Sequence, residues 1–350
     1  MGITIKDIAK AAGVSHPTVS RALNDHPGIS KKTSERIKKL AVEMGYIPNA
    51  AARGLKTNRT KALGVIISQI DDPFWSEVLN GVDSVLHPAG YSLFIAATHR
   101  IKEREKQVVQ TMMQRGVDGV ILLAPQFGAD QSHILRAFGL PMAMVNNEGA
   151  AECEDLIFND DDYGIRLILQ HLIALGHKKI AYLGNKMGGL TNTNRQTGFV
   201  KALKAAGLEV RQEFIYQGST GDPHGGREGA SYFMSLTGKP TAIVCYSDYM
   251  ALGVYNVMAE KKIRIPQDIS ITGFDNINIA AYLTPPLTTL HQYKFELGVG
   301  AAEMMLEMLE KKRLNKEIAQ KQRKVSIKGT LYIRASTAPP GWIKDENPKN

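Results

Sequence analysis

The spacing of apolar residues changes once along the chain, near residue 60. Before that point, apolar positions recur at intervals of three and four, which is the period of an α-helix with one buried face. From Leu63 onward, short runs of apolar residues alternate with longer amphipathic stretches. The short runs are typical of buried strands, and the longer stretches are typical of helices. The pattern therefore predicts a small helical head followed by a larger α/β body.

The head begins with two short helices separated by a glycine. Thr4 can cap the first helix, and Asp7 lies three residues later, where a carboxylate favours the positive helix end. Gly13 ends this helix, and Ser15 can cap a second helix of about two turns. A third helix, predicted at about Lys31–Glu43, supplies scaffold to the other two.

The first two helices have the residue spacing of a helix-turn-helix. Ala9 is small where the second helix must cross closely, Gly13 lies four residues later in the tight turn, and Val19 lies six further on, between the helices. The remaining apolar positions of the set are Ile8, Ala12, Val14 and Ala22. A helix-turn-helix presents its second helix to the major groove of DNA. The alternative is a helix pair that shares this spacing by chance.

The solvent-facing side of the second helix predicts the residues that contact DNA. His16 and Pro17 lie near its N-terminus, where they can reach base edges, and the guanidinium of Arg21 can pair with guanine O6 and N7. Hydroxyl and amide side chains suited to phosphate oxygens are predicted as backbone contacts: Thr4, Ser15, Thr18, Ser20, Asn24, Ser30 and Thr33.

Ten strands and seven helices are predicted in the body. The strands are Leu63–Ser68, Tyr91–Ala96, Gly119–Ala124, Met142–Asn146, Ile157–Phe158, Lys179–Gly184, Phe214–Gly218, Ala242–Tyr246, Ser270–Phe274 and Leu287–Leu290. The helices are 74–87, 102–115, 161–175, 194–206, 225–236, 248–261 and 294–310. This alternation predicts parallel sheets covered by helices on both faces, and ten strands favour two lobes over one sheet. Ligands of such folds bind at the carboxyl ends of strands or in the cleft between lobes.

Charge is distributed unevenly along the 350 residues, whose formal net charge is +9. Residues 1–60 hold 11 Lys and Arg against 4 Asp and Glu, and residues 311–350 hold 11 against 3. A compact basic head is the electrostatic pattern of a nucleic-acid-binding domain. For the basic tail, a solvated surface is the simpler interpretation.

Several other classes of protein fit the sequence less well. No apolar run approaches the roughly 18 residues of a membrane span, and the first residues lack the apolar core of a secretory signal, which predicts a cytoplasmic protein without membrane contact. Cys153 and Cys245 are far apart, and the nine histidines lack metal-ligand spacing. No nucleophile-and-base set or phosphate loop stands out. We therefore expect no metal, no cofactor and no catalysis.

The head and the segment after it resemble the LacI/GalR family of transcriptional regulators. The resemblance rests on TIKDIAKAAGVSHPTVSRALN and YIPNAAARGLK, and continues at lower specificity to about residue 335 through LGVIIS, GVDGVIL, SDYMALGV and DISITGFDN. In that family a short hinge becomes helical on operator DNA, and a leucine wedges into the minor groove. Leu55 occupies the position of that leucine. The resemblance also implies that Tyr46, Asn49 and Lys56 contact the DNA backbone. So short a helix is unstable alone, which fits a hinge that folds only on DNA. The alternative is that residues 45–60 are only a linker and Leu55 is an incidental apolar residue.

The resemblance implies that a two-lobed, type I periplasmic-binding-protein-like effector domain follows the head. The expected domains are residues 1–60 for DNA binding, with the hinge at about 48–57, residues 61–337 for effector binding and dimerisation, and residues 338–350 as a tail. One lobe is expected to combine about 61–159 with 290–320, and the other about 160–289 with 321–337.

The effector site is predicted from strand ends and from the resemblance together. Arg195 begins the motif RQTGF, in the place of the family's ligand-binding arginine, and Asn146 stands where the family usually has Asp. The predicted effector-binding residues are Asp72, Phe74, Trp75, Gln126, Asn146, Arg195, Ser247 and Asp275. Two aromatic planes with amides and carboxylates suit a polyhydroxylated ligand. Asp248 is expected to cap a helix, and the Gly-rich stretch 218–229 lacks the aromatic residue that several members place over the ligand.

These features predict a ligand-responsive repressor that binds a pseudo-palindromic operator as a homodimer and is released by a sugar-like effector. A purine or phospho-metabolite corepressor is the alternative effector. Tetramerisation remains open, although Pro339, Pro340 and Gly341 in the tail show no heptad pattern. A protein of another class, a sugar-binding or enzymatic module with an accessory head, would be distinguished by turnover of a ligand.

Overall fold

The computed structural model describes residues 3–46, 59–123, 139–146, 155–314 and 323–341. Contacts between residues divide the chain into two compact units, Met1–Thr60 and Lys61–Asn350. The first unit is the helical head and the second is the α/β body. The division falls where the spacing of apolar residues changes.

The elements follow one another in the order of the chain. The head contains α1 (Ile5–Ala12), α2 (His16–Leu23) and α3 (Lys31–Glu43). The body contains β1 (Ala62–Ile67), α4 (Pro73–Leu86), β2 (Ser92–Ala97), α5 (Lys102–Gln114), β3 (Gly119–Leu123), β4 (Met142–Val145), β5 (Leu156–Asn159), α6 (Asp161–Ala174), β6 (Ile180–Asn185), α7 (Gly189–Ala205), β7 (Ile215–Gly218), α8 (Pro223–Ser235), β8 (Ala242–Cys245), α9 (Asp248–Glu260), β9 (Ser270–Asp275), β10 (Thr288–His291), α10 (Lys294–Arg313), β11 (Lys324–Ile327) and β12 (Thr330–Tyr332).

The three head helices enclose a small core of their own. Ile8, Val19, Ala22 and Ile37 are all fully buried. Complete burial of a large aliphatic side chain contributes about 1.5–3 kcal/mol, so the burial of Ile8, Val19 and Ile37 supplies a substantial share of the stability of so small a unit. The predicted helix pattern of the head is confirmed.

Lobe 1 of the body is built on a six-stranded sheet with the order β11-β5-β4-β3-β1-β2. Its described pairs are all parallel. Helices α4 and α10 pack on one face, where a core includes Val78 and Ala301, and the other face has a second core around Val109 and Leu122. Because both faces are covered, β1, β3 and β4 are buried at every position, which explains their continuous apolar runs.

Lobe 2 contains a second six-stranded sheet, with the order β12-β10-β9-β8-β6-β7. Only the edge pair β10–β12 is antiparallel among the described pairs. Two buried clusters again cover the two faces, one around Phe233 and Val254 and one around Phe199 and Ile168. The predicted architecture of two lobes with parallel sheets is confirmed.

The chain crosses between the lobes at positions that differ from the predicted boundaries. Strand β10 pairs with β9 in lobe 2, so the return to lobe 1 begins at α10 rather than at residue 290. Strand β11 pairs with β5 in lobe 1, through Lys324 with Leu156 and Ile327 with Asn159. The expectation that all of 321–337 belongs to lobe 2 was therefore wrong. The reason is that β11 is an exposed edge strand, and its composition does not show which sheet it joins.

Two further differences concern where elements begin and end. Helix α7 begins at Gly189, five residues before its predicted start, because its first turn is rich in Gly, Thr and Asn and has little helix propensity. The expected tail begins inside lobe 2. The amide of Ala338 donates to Ser270 Oγ at 3.1 Å, and the carbonyl of Ala338 lies 3.0 Å from His177 Nε2. Within the described ranges, no helix is both long enough and apolar enough to cross a membrane.

Candidate functional site

The solvent-facing side of α2 carries the three residues predicted to read bases within the head. His16, Pro17 and Arg21 are exposed, whereas Val19 and Ala22 on the opposite side are fully buried in the head core. Pro17 lies in the first turn of the helix, where its missing amide hydrogen has no intrahelical partner to lose. The helix is therefore fixed by one side and leaves the other free to enter a groove.

Two pairs of hydroxyls stand at the N-termini of α2 and α3. Ser15 caps α2 and its Oγ lies 2.8 Å from Thr18 Oγ1. Ser30 caps α3 and its Oγ lies 2.8 Å from Thr33 Oγ1. Helix N-termini present amide hydrogens and a positive dipole end, which is the usual environment of a bound phosphate.

The other predicted backbone contacts are more scattered. Thr4 forms a capping box with Asp7, in which the amide of Asp7 donates to Thr4 Oγ1 at 3.4 Å and the amide of Thr4 donates to Asp7 Oδ2 at 2.8 Å. Asn24 Nδ2 donates to the carbonyl of Ser20 at 2.7 Å, which stabilises the end of α2. Tyr46 is half-buried against the head core. Three predicted DNA contacts lie outside the described residues: Asn49, Leu55 and Lys56.

One cavity in the body, the effector cavity, brings most of the predicted ligand residues together. It encloses about 500 Å³ of non-atom space, part of it open to solvent. Seven of the eight predicted residues line it, and Gln126 lies outside the described residues. Its lining consists of Ser68, Asp72, Phe74, Trp75, Arg100 and Asn146 from lobe 1, Asn185, Thr191, Arg195, Gly221, Tyr246, Ser247 and Asp275 from lobe 2, and Gln292 from the segment between β10 and α10.

The effector cavity lies where parallel strands of both sheets end. Ser68 follows β1, Asn146 follows β4, Asn185 ends β6, Tyr246 follows β8 and Asp275 ends β9. Carboxyl ends of neighbouring parallel strands meet at one edge of a sheet, so polar residues at these positions converge. Ser68, Asn185 and Tyr246 were not among the predicted residues, although the same strand-end signal marks them.

The lobe 1 wall is formed by the start of α4. Asp72 caps this helix by accepting from the amide of Phe74 at 3.0 Å. The rings of Phe74 and Trp75 meet edge to face, with centroids 4.8 Å apart, and both side chains are buried. Burial raises the pKa of Asp72, an effect that Arg100 opposes by its charge. The wall thus combines an apolar aromatic face with a carboxylate.

Arg195 is the most constrained side chain in the cavity. Its Nε donates to Asp161 Oδ1 at 2.9 Å and its Nη1 donates to the carbonyl of Tyr246 at 2.5 Å. Its guanidinium carbon lies 3.7 Å from the ring centroid of Phe274, which is a close cation–π contact. Burial lowers the pKa of Arg195, but Asp161 and Asp275 outweigh this and raise it above its ordinary value. The cation is therefore permanent and fixed in place.

The loop after β9 holds an unusual backbone. Asp275 and Asn276 both have positive φ, at 121° and 54°, a region that L residues adopt at a cost. The buried ammonium of Lys294 supports this turn by donating to the carbonyl of Asp275 at 2.6 Å and lies 3.0 Å from Glu77 Oε2. Gln292 Nε2 donates to Asp275 Oδ1. Burial raises the pKa of Asp275, and its carboxylate is held at the cavity wall by these contacts.

Asn146 has a similar backbone in lobe 1, with φ at 54°. Its Oδ1 accepts from the amide of Asn159 at 2.9 Å, so the side chain ties the end of β4 to the end of β5. An asparagine tolerates this left-handed conformation better than most residues. Asn146, which stands where the family usually has Asp, therefore has a local structural partner in Asn159.

The residue that caps the start of α9 is Ser247 and not Asp248, where the cap was expected. Ser247 caps the helix by accepting from the amide of Met250 at 3.2 Å, and it also lines the cavity. Asp248 does not cap it. Its carboxylate is fully buried and accepts from the amide of Ile277 at 2.9 Å and from Thr289 Oγ1 at 2.5 Å. Asp248 thus fixes the loop behind the cavity, and burial raises its pKa to about 7.

Four polar atoms around the cavity are withdrawn from solvent without a hydrogen-bond partner among the described residues. They are Ser68 Oγ, Arg100 Nε, Asn185 Nδ2 and Gln292 Oε1. Leaving a buried polar atom unpaired costs about 1–3 kcal/mol, so such atoms require a reason. Together they offer hydrogen-bond donors and acceptors from lobe 1, from lobe 2 and from the segment between β10 and α10.

Neither a metal site nor a cofactor motif is found in the part of the chain that the structure describes. No group of three or more His, Cys, Asp or Glu side chains there could hold an ion. His177, for example, is buried with its Nδ1 2.9 Å from Thr241 Oγ1, as a structural residue would be. Cys245 is a free, buried thiol in β8, and Cys153 lies outside the described residues.

Comparison with known proteins adds a family to this geometry. Residues 4–49 match the profile described as bacterial regulatory proteins, lacI family, and residues 169–337 match the periplasmic binding protein-like domain. The chain is 34% identical over 334 residues to the HTH-type transcriptional repressor PurR of Mannheimia succiniciproducens, which covers 95% of this chain and 98% of the relative.

Solved structures agree with these matches. The Lac repressor bound to ONPG in its repressed state has a TM-score of 0.84 and 25% identity, over 96% of this chain and 100% of that one. A LacI-family transcriptional regulator from Enterococcus faecalis V583 with bound ribose has a TM-score of 0.70 and 26% identity, over 79% and 99%. The predicted head and periplasmic-binding-protein-like body are confirmed by this likeness.

Proposed function

Because the chain belongs to the LacI family of bacterial regulatory proteins and is a ligand-responsive transcriptional repressor, we propose that its effector is a sugar or a similar polyhydroxylated molecule. The protein binds operator DNA and a small molecule, as its family does. The effector occupies the cavity between Phe74 and Arg195 in the body. Binding there changes the affinity for DNA, and by linkage DNA changes the affinity for the effector.

The set of unpaired polar atoms is the observation that carries this proposal. A hydroxyl group donates one hydrogen bond and accepts others, so it can satisfy both Asn185 Nδ2, a donor, and Gln292 Oε1, an acceptor. A sugar presents several hydroxyls around a ring whose C–H face can rest on an aromatic plane such as Phe74. The Enterococcus faecalis relative with bound ribose is a precedent for that class of ligand in this fold.

A purine corepressor is the second candidate, because the relative at 34% identity carries the name PurR. A planar base prefers apolar or aromatic surfaces against both of its faces. Phe74 and Trp75 stand on the lobe 1 wall, and Tyr246 lines the lobe 2 side beside Gly221, so both lobes contribute aromatic residues to the cavity. The cavity can therefore also receive a planar base, and the titration described below decides between the two candidates.

The DNA side of the proposal assigns base contacts to His16, Pro17 and Arg21 and phosphate contacts to the helix caps around them. Two copies of the head would read the two halves of a pseudo-palindromic operator, which is why we propose a homodimer. Leu55 is proposed as the minor-groove wedge from the family resemblance. Since operator DNA lies in the bacterial cytoplasm, we propose that the protein acts there.

The effector class is tested by calorimetric titration of the full chain with a panel of sugars, sugar phosphates and purines, followed by operator binding with each hit. The matched variants are Ser68→Ala, which removes an unpaired cavity hydroxyl, and Ser76→Ala, which removes an exposed hydroxyl on α4. We expect a sugar to bind and Ser68→Ala to weaken it about tenfold, while Ser76→Ala leaves the affinity unchanged.

Binding of a purine without any sugar would replace the first candidate by the second. Product analysis after incubation with each ligand separates a sensor from an enzyme. Turnover of any ligand would contradict a repressor that only senses.

A further inference from the structure

A second pocket lies where the chain passes from β5 of lobe 1 into α6 of lobe 2. We call it the crossover pocket, and its walls include Phe158, Asn159, Asp160 and Asp162 from the crossover and Thr197 and Lys201 from α7. It shares no lining residue with the effector cavity. No part of the effector proposal uses it.

Asn159 is the unusual residue of the crossover pocket. Its side chain is 4% exposed, and neither Nδ2 nor Oδ1 has a hydrogen-bond partner among the described residues. A buried amide whose oxygen and nitrogen are both unpaired destabilises the folded state, so its presence points to a group that completes its hydrogen bonds. A group that both accepts and donates, such as a hydroxyl, would satisfy both ends.

The carboxylates of Asp160 and Asp162 outnumber the single ammonium of Lys201 in the same pocket, and the third carboxylate, that of Asp161, is paired with Arg195. Asp160 caps α6 by accepting from the amide of Tyr163 at 2.9 Å through Oδ1. Asp162 is half exposed, and Arg166 Nη1 is its ion partner at 3.7 Å, a long contact that adds little at the surface. Within the described ranges no group of three such side chains is arranged to hold a metal ion. An organic ammonium, which needs no fixed coordination shell, fits two separate carboxylates better.

We propose that the crossover pocket is a second small-molecule site, for a polar ligand that carries a primary ammonium beside hydroxyl groups. The ammonium lies between the carboxylates of Asp160 and Asp162, where it donates charge-assisted hydrogen bonds. A neighbouring hydroxyl pairs with the amide of Asn159, and Thr197 takes a further hydroxyl.

Two hydrogen bonds connect this pocket to the effector cavity. The backbone amide of Asn159 donates to Asn146 Oδ1 at 2.9 Å, and Arg195 Nε donates to Asp161 Oδ1 at 2.9 Å. Asn146 and Arg195 line the effector cavity, while Asn159 and Asp161 line the crossover pocket. A ligand that shifts one side of either bond moves the other, so the two sites are coupled. This consequence rests on the proposed effector function.

Direct binding is tested on the full chain without sugar or DNA, by saturation-transfer NMR and calorimetry with 2-amino-1,3-propanediol. Glycerol is the matched probe that replaces the amine by a hydroxyl. The variants are Asn159→Leu and Asp162→Asn, and Asp83→Asn on an exposed face of α4 is the control. Because Asp162 is exposed, its isosteric variant keeps the fold even if Asn159→Leu does not.

We expect 2-amino-1,3-propanediol to bind the wild type about tenfold more tightly than glycerol does. Asp162→Asn should weaken binding of the amine about tenfold, and Asp83→Asn should leave it unchanged. Equal binding of the two probes would overturn the proposal. So would wild-type affinity in Asp162→Asn, or a crystal structure of the soaked protein with only an ordered water at Asn159.

Coupling is measured by repeating the effector titration with the amine present. The affinity for the effector should change by the same factor as the affinity for the amine changes with effector bound. If no sugar or purine binds, the proposed effector function fails, and the direct amine titration still decides the crossover pocket. An unchanged effector affinity at saturating amine overturns the coupling.

Discussion

Arg195 and Asp161 form an ion pair inside lobe 2, with Nε and Oδ1 2.9 Å apart and side chains that are 4% and 7% exposed. Asp161 is the first residue of α6 and Arg195 lies within α7. The pair therefore ties two helices together, and its arginine also lines the effector cavity. Removing one partner of a buried pair leaves an uncompensated charge, which costs about 3–5 kcal/mol.

Arg195→Met should therefore lower the free energy of unfolding by about 3–5 kcal/mol and abolish effector binding. Arg264→Met is the matched control, because Arg264 pairs with Asp268 at the surface, where water and salt screen the pair and it adds little stability. Urea unfolding followed by circular dichroism measures both. Adding Asp161→Leu to Arg195→Met should recover part of the loss. Equal losses in Arg195→Met and Arg264→Met would contradict a special role for the buried pair.

The fold was largely predictable because the central strands of its two sheets are buried on both faces. Runs such as Leu63–Ile67 and Ala242–Cys245 are apolar at every position, and only a sheet covered by helices buries such runs completely. Strands β11 and β12 were missed for the opposite reason. They are exposed edge strands with polar residues, so their place depends on the crossovers and not on their own composition.

The buried imidazole of His177 should make the protein less stable in mild acid. Burial lowers the pKa of His177 from 6.5 to about 4. Between these two values the unfolded chain binds a proton that the folded chain does not, so the free energy of unfolding falls as the pH drops from about 6.5 to about 4. The limiting slope is about 1.4 kcal/mol per pH unit. Urea unfolding at several pH values measures it.

His177→Gln removes the titrating group, so its unfolding free energy should depend less on pH over the same interval. His87→Gln, at an exposed position after α4, should keep the wild-type slope. If the slope in His177→Gln equals that of the wild type, other groups account for the acid sensitivity.

Arg21→Ala should reduce discrimination between sequences more than it reduces affinity for DNA in general. Arg21 is exposed in the last turn of α2, and a bidentate contact to a base contributes about 1–3 kcal/mol of discrimination. The measurement is fluorescence anisotropy with a duplex selected by the wild type and with an unrelated duplex. Lys32→Ala, at an exposed position in α3, should weaken both duplexes alike. Uniform weakening by Arg21→Ala would show that Arg21 contacts phosphates only.

The effector cavity was predictable only in part. Asn146 and Asp275 were found because polar residues at strand ends converge, Asp72 was found beside the aromatic pair Phe74 and Trp75, and Arg195 was found from a family motif. Gln292 was missed although it directly follows β10 and so has the same strand-end signal. Arg100 has no such signal, since it lies in the loop after β2, and its place at the cavity depends on tertiary packing that local sequence does not determine.

Gly81→Ala should destabilise lobe 1 strongly, because helices α4 and α10 touch through their backbones at this point. A Cβ added at Gly81 would lie 2.1 Å from the carbonyl oxygen of Phe295, and one added at Gly298 would lie 2.0 Å from that of Val78. Backbone atoms cannot rotate away as a side chain can, so the helices must separate and their shared core must loosen. Forced overpacking costs about 1–3 kcal/mol or more.

Gly238→Ala is the matched control for this prediction. A Cβ there would have only Arg211 Nη1 at 3.9 Å, an ordinary contact, and alanine also restricts the unfolded chain more than glycine does. We expect its unfolding free energy to equal or slightly exceed that of the wild type. Thermal unfolding of both variants tests the close helix contact. If Gly81→Ala unfolds at the same midpoint temperature as the wild type, the prediction is wrong. The backbones of α4 and α10 would then be farther apart than the 2.1 Å between the added Cβ and the carbonyl oxygen of Phe295 implies.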